Sequence, residues 1–123
     1  MLNGTEARIR EVLIDVASRK TKISYGQLNS EVPLHLDLKM PTDKAFLGHL
    51  LNIISKYEHS QNRPLLAALV TNGKGSQKGN PDKSFFELAE ELGRYDCMAD
   101  KTPWLECEQK LVYEQWQNGV VDD

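Results

Sequence analysis

A mainly α-helical fold with a small β component is predicted by three observations on this 123-residue chain. Four stretches carry apolar residues at helical spacing, two short runs have strand character, and one glycine- and lysine-rich stretch separates the second strand from the helices that follow. With 40% hydrophobic and 27% charged residues the chain falls in the globular range, and its length suits a single domain over 1–123.

In TEARIREVLIDVASRK, Ile9, Val12, Leu13, Val16 and Ala17 recur on one face behind Thr5, which predicts a first helix over about 5–20 capped by that threonine. Ile23 then marks a very short strand. Ser24 and Gln27 in SYGQL have capping-box spacing, so a short second helix is expected from Ser24 and is limited by Pro33. Leu34, Leu36, Leu38 and Met40 alternate with polar residues, as in an edge segment or in a loop that turns its leucines inward. TDKAFLGHLLNIISKYEHS begins at the cap candidate Thr42, and its apolar stripe of Phe46, Leu47, Leu50, Leu51, Ile53, Ile54 and Tyr57 predicts a long core helix.

RPLLAALVT is short, continuously apolar and bounded by Pro64 and Asn72-Gly73, the pattern of a buried strand. Three glycines, Pro81 and a lack of apolar anchors predict a mobile loop over 73–83. Ser84 and Glu87 have capping-box spacing ahead of a helical face of Phe85, Leu88, Ala89 and Leu92, and Gly93 is a stop. Thr102 and Pro103 open a last helix with Trp104, Leu105, Leu111, Val112 and Trp116 as its expected buried stripe, and the end from Gly119 should fray. This order describes a winged-helix-like core over about 5–83 followed by a C-terminal helical extension over about 84–118.

Net charge is −3, but its distribution is uneven: residues 1–86 hold 12 Lys/Arg against 8 Asp/Glu, and residues 87–123 hold 3 against 10. A basic front suits a polyanion and an acidic rear suits a basic protein, although solvated helix faces produce the same asymmetry. No apolar run approaches the length of a membrane span, and charges interrupt every turn of the N-terminus, unlike a signal peptide, so a cytoplasmic protein without membrane contact is expected. Cys97 and Cys107 fit neither a C-x-x-C pair nor a disulfide scaffold and are expected to be reduced thiols.

RIREVLIDVASRKTKISYGQLNSEV, DKAFLGHLL and RPLLAALVTNGKG together resemble the winged-helix DNA-binding domain of the alkylguanine alkyltransferases and alkyltransferase-like proteins, over about residues 6–75. In that family the tyrosine of the helix start contacts and rotates a phosphate of the flipped nucleotide, and Tyr25 occupies the matching position. The reactive Pro-Cys-His-Arg strand has no counterpart, because Leu65 and Leu66 follow Pro64. Ala45 stands where the family's arginine fills the vacated stack. What the resemblance implies is therefore a fold and a phosphate contact, without alkyl transfer.

Other chemistries find no pattern. His35, His49 and His59 lie on different segments without a two-ligand helical spacing, so no metal site is expected. No phosphate-cradling G-x-x-x-x-G-K-[ST] register runs through the glycine-rich loop, no nucleophile–base set stands out, and neither catalytic residues nor a cofactor are expected.

Two binding readings remain. In the first, a nucleic-acid module, Lys22, Lys44, Lys74, Lys78 and Lys83, with Lys20, neutralise phosphates, and Tyr25 donates a hydrogen bond to one of them. Tyr25 has a plainer alternative, a ring packed beneath the first helix with its hydroxyl at the surface. In the second reading Glu87, Glu90, Glu91, Glu106 and Glu108 form an acidic face for a basic partner, as in an immunity protein or an antitoxin that masks a nuclease.

Overall fold

The computed structural model describes residues 2–72, 79–96 and 98–117. Five helices surround a two-stranded parallel sheet: α1 (Gly4–Ser18), β1 (Ile23–Ser24), α2 (Tyr25–Glu31), α3 (Pro41–Ser60), β2 (Val70–Thr71), α4 (Lys83–Glu91) and α5 (Lys101–Trp116), with a 3₁₀ turn at Leu66–Leu69 leading into β2. The chain is thus mainly α with a small β part, as its periodicity predicts. No helix among the described residues is long and apolar enough to cross a membrane.

The centre of the molecule is the apolar run from Leu65 to Val70, every residue of which is buried. Its 3₁₀ turn touches α1, α3 and α5 at once. A strand is expected here, but only Val70 and Thr71 have one to pair with, opposite Ile23 and Ser24 of β1. Surrounded elsewhere by helices, the run tightens into a 3₁₀ turn, and its backbone groups are met by side chains. The Leu65 N–H donates to Glu108 Oε2 at 2.8 Å, the Ala67 N–H to Ser55 Oγ at 3.3 Å, and Gln109 Nε2 donates to the Ala68 carbonyl at 2.9 Å. Ser55, Glu108 and Gln109 are therefore buried polar residues with a common task, since an unpartnered buried N–H or carbonyl costs about 1–3 kcal/mol.

Two buried carboxylates fasten the helices around this run. Glu58 of α3 accepts from Arg10 Nε of α1 at 3.0 Å and from Arg63 Nε at 2.7 Å. Both guanidiniums lie over the rings of Tyr57 and Trp116, which brings the end of α5 into the same cluster. Glu108 of α5 is held by both arms of Arg94, at 2.9 and 3.0 Å. At the other end Phe85, Phe86, Tyr95 and Trp104 form an aromatic cluster between α4 and α5, with Trp104 Nε1 donating to the Arg94 carbonyl.

The helix starts differ from expectation in an instructive way. The box at Ser24 and Gln27 forms with both bonds at 3.1 Å. The first helix is capped by Asn3 and not Thr5, because Glu6 stands three residues after Asn3 and completes the reciprocal pair. Pro41 at the first position replaces Thr42 as the start of α3, Asp82 precedes α4 so that the box expected at Ser84 and Glu87 does not form, and Asp100 precedes α5. Gly93, at φ +77°, ends the turn after α4 in the left-handed conformation that glycine adopts freely. The expected stripes are also corrected at two residues: Phe46 is 51% exposed and Leu111 46% exposed, each at the margin of its helix's buried face.

Leu51, only 2% exposed between α3 and the central run, should lose about 2–5 kcal/mol of stability on replacement by alanine, read from denaturant unfolding. Glu108→Ala should cost about 3–5 kcal/mol because it strands the Arg94 charge and the Leu65 N–H, whereas Glu106→Ala on the exposed side of α5 should change stability by no more than about 0.5 kcal/mol.

Candidate nucleic-acid interface

Tyr25 is the first residue of α2, fixed in place by the Ser24 cap and by the β1–β2 pairing that immediately precedes it. Its ring is 7% exposed. The hydroxyl accepts the backbone N–H of Asp82 at 2.7 Å, a bond spanning 57 residues that ties the start of α4 to the start of α2. The plainer reading of Tyr25 thus describes its ring, which is packed, but its hydroxyl is engaged within the fold. Burial, above all, pushes the phenol well above its ordinary range, and the nearby Asp82 carboxylate adds to this against the lowering effect of the Asp82 N–H. Tyr25 is consequently a neutral phenol whose own proton remains available for donation.

Lys44, from the first turn of α3, reaches over this ring, with Nζ 5.7 Å from the centroid, and donates to Asn72 Oδ1 at 3.2 Å. Asn72 follows β2 and closes the base of the glycine-rich loop. Its N–H donates to the Asn80 carbonyl at 2.8 Å, its Nδ2 to the same carbonyl at 3.0 Å, and its carbonyl accepts the Gly79 N–H at 2.9 Å. Between these groups lies a cleft of about 520 Å³, lined by Ser24, Tyr25, Gly26, Lys39, Lys44 and Asn72 with Leu38 as an apolar wall. Gly48 of α3 faces the start of α4 at this end, where a Cβ would stand 3.4 Å from Ser84 Oγ, an ordinary contact.

Of the residues expected to meet a nucleic acid, the structure gathers Tyr25 and Lys44 at one cleft. Lys22 is exposed but lines a separate groove of about 230 Å³ with Arg19, Gln27 and Glu31, and Lys20 is exposed at the end of α1 with φ +53°. Lys83 is exposed one residue beyond Asp82. Lys74 and Lys78, with the 73–78 part of the expected mobile loop, lie outside the described residues. The 79–83 part is anchored rather than loose: Gly79 and Asn80 are bonded to Asn72, Pro81 is buried, and Asp82 is held by Tyr25. Sequence reasoning misses Lys39 and Asn72. Lys39 is one of the polar positions that alternate with Leu34, Leu36, Leu38 and Met40, with nothing nearby to single it out, and Asn72 is a turn residue whose side chain acquires its task only once α3 lies beside it.

The acidic set separates in the same way. Glu87, Glu90, Glu91 and Glu106 are exposed on α4 and α5. Glu108 is not: at 3% exposure, bound to Arg94 and to the Leu65 N–H, it is a structural carboxylate and drops out of any acidic face. Among the described residues no group of three or more His, Cys, Asp or Glu side chains is placed to hold a metal ion. Cys107 is exposed on α5.

Comparison with protein-family models, with curated proteins and with solved structures finds no match for this chain.

The perturbed phenol makes a pH prediction. Because the folded state holds Tyr25 protonated beyond its unfolded range near pH 10, its contribution to stability is complete below about pH 10 and declines as pH rises further. Tyr25→Phe should cost about 1 kcal/mol near neutrality, for the lost acceptor of the Asp82 N–H, and should flatten the alkaline decline. Urea unfolding between pH 7 and 11 measures both. An equally steep decline in the variant would assign it elsewhere, Tyr113 being the other tyrosine pushed upward by burial.

Proposed function

We propose that this chain is a non-enzymatic, cytoplasmic nucleic-acid-binding module of winged-helix type, which grips the sugar–phosphate backbone at the Tyr25–Lys44 cleft. One observation carries the reading. Two ammonium groups, a neutral phenol and the Asn72 amide converge on a single open cleft at the foot of a lysine-bearing loop. Each can satisfy a phosphodiester oxygen, the lysines as cations, Tyr25 with the proton its intramolecular bond leaves free and Asn72 with its second amide hydrogen, while the Ser24–Gly26 helix start walls the cleft.

The alternative, an acidic surface that masks a basic protein, draws its support from Glu87, Glu90, Glu91 and Glu106. It is the weaker reading because Glu108 belongs to the core. Charge reversal at Glu90 and Glu91 serves as the control, for it alters that surface without touching the cleft.

Fluorescence anisotropy with labelled DNA at low salt should show binding whose logarithm falls linearly with the logarithm of salt concentration. Replacing Lys39 and Lys44 together by alanine should weaken it for every base sequence and reduce the slope by up to about two units, at roughly 0.9 per phosphate. Glu90→Lys with Glu91→Lys should leave the slope's cleft-dependent part unchanged. Absence of any binding at low ionic strength, where attraction is least screened, would overturn the proposal.

A further inference from the structure

The Tyr25 cleft is lined by charge of one sign, and the sign reverses just outside it. Lys39 and Lys44 are its ammonium groups, and no carboxylate is among the described residues that line it. Beyond Lys39 stand Asp37, exposed, and Asp43, partly exposed. Asp37 Oδ1 accepts the Lys39 N–H at 3.1 Å and Asp43 Oδ2 accepts the Asp37 N–H at 2.9 Å, bonds that hold both side chains beside the cleft with their charges intact. Beyond the Tyr25 hydroxyl stands Asp82, whose N–H that hydroxyl accepts at 2.7 Å and whose Oδ2 accepts Ser84 Oγ at 3.2 Å. Lys83, exposed, follows it in the chain.

This pattern bears on which phosphate the cleft can hold. An internal phosphodiester carries a single negative charge and brings a further phosphate on each side. A strand that continues past Lys39 meets Asp37 and Asp43, one that continues past the tyrosine hydroxyl meets Asp82, and like charges set against each other are repelled. A terminal phosphate needs only one way out. It also matches the lining more fully, since a phosphomonoester holds a charge of about −1.5 to −2 near neutrality and presents three strong acceptor oxygens. Facing it are two ammonium groups, the Tyr25 hydroxyl proton and the second amide hydrogen of Asn72. The cleft's volume of about 520 Å³ is on the scale of a small-ligand site, about 300–1,000 Å³, as the end of a strand requires.

We infer that the cleft takes the terminal phosphate of a nucleic-acid strand in preference to an internal phosphodiester, with Lys39 and Lys44 meeting its second negative charge. This rests on the nucleic-acid reading above and names the part of the polymer that the reading leaves open. Tyr25 and Asn72 supply directed hydrogen bonds to the phosphate oxygens, and Leu38 is the apolar wall against which the last nucleotide leaves.

Competition anisotropy with the full chain and a labelled, hydroxyl-ended oligothymidylate of about 12 nucleotides separates the outcomes. Unlabelled strands of the same length that end in a phosphate, at the 5′ or at the 3′ end, should compete about 10- to 100-fold better than strands ending in hydroxyls, the worth of one further charge-assisted hydrogen bond. Replacing Lys39 and Lys44 together by alanine should remove most of that advantage. Circular dichroism and thermal melting check that the double variant folds, and Lys39→Ala alone, at an exposed side chain, should lower the advantage in the same direction. Equal competition by phosphate and hydroxyl ends would refute the preference while leaving the backbone-binding reading intact, and an advantage that survives both lysine replacements would place it outside the cleft and refute it too. Thymidine monophosphate or inorganic phosphate displacing the labelled strand as well as the phosphate-ended oligonucleotide does would assign the cleft to a small free phosphate and overturn the proposal. Failure of the unmodified protein to bind any strand would remove both this inference and the reading it rests on.

Discussion

The structure depends on the burial of a backbone segment that is not in regular secondary structure. Between Leu65 and Val70 the chain passes through the centre of the molecule, where no water can reach its peptide groups and only its last residue joins a sheet. A protein interior tolerates such a segment only if its donors and acceptors find partners. Here they are supplied from opposite sides, by Ser55 on α3 and by Glu108 and Gln109 on α5. These bonds fix where the flanking helices sit, because a carboxylate or amide that must reach a particular peptide group allows little sliding. The two ends of the run are then tightened by ion pairs, Glu58 with Arg10 and Arg63 on one side and Glu108 with Arg94 on the other.

The cleft is a consequence of this arrangement. Val70 and Thr71 leave the buried run and pair with Ile23 and Ser24, so the residues just beyond each strand, Asn72 and Tyr25, are carried to the same edge of the molecule. The chain returns after the loop at Asn80, and Asp82 is caught by the Tyr25 hydroxyl before α4 begins. Three segments remote in sequence therefore meet around one phenol. Lys44 closes the set from the first turn of α3, its ammonium over the Tyr25 ring and bonded to Asn72 Oδ1.

What could be read from the sequence follows from the range of each interaction. Helical periodicity and the Ser24–Gln27 box depend on residues within one turn of each other, and they placed the helices and the short second helix correctly. The competition among caps is also local, but it turns on a second residue or on ring geometry: Asn3 wins because Glu6 answers it, and Pro41 because its φ is already helical. Burial at the margins of a helix was not legible in this way. Phe46 and Leu111 sit where the apolar stripe ends, and only the position of neighbouring elements determines which flank is covered. Least legible was Glu108, whose partner lies 43 residues away; nothing near it distinguishes it from the exposed Glu106 two positions earlier. The same holds for the bond from Asp82 to Tyr25, which converts an apparently loose segment into a fixed one.

The buried pairs also change what the charge asymmetry means. Of the chain's five arginines, Arg10, Arg63 and Arg94 are committed to Glu58 and Glu108, and Arg19 pairs with Asp15 one turn earlier on α1. The basic front half consequently presents its surface charge mainly as lysine. That distinction has a chemical consequence, since guanidinium forks read base edges and bind phosphates in fixed bidentate geometry, whereas ammonium groups act as hydrated point charges on flexible stems. A polyanion meeting Lys39, Lys44 and Lys56 is attracted strongly but with little orientation. Orientation must then come from shape, which here means the walls around Tyr25. A cleft of that kind holds an anion by charge and by fit more than by forked hydrogen bonds.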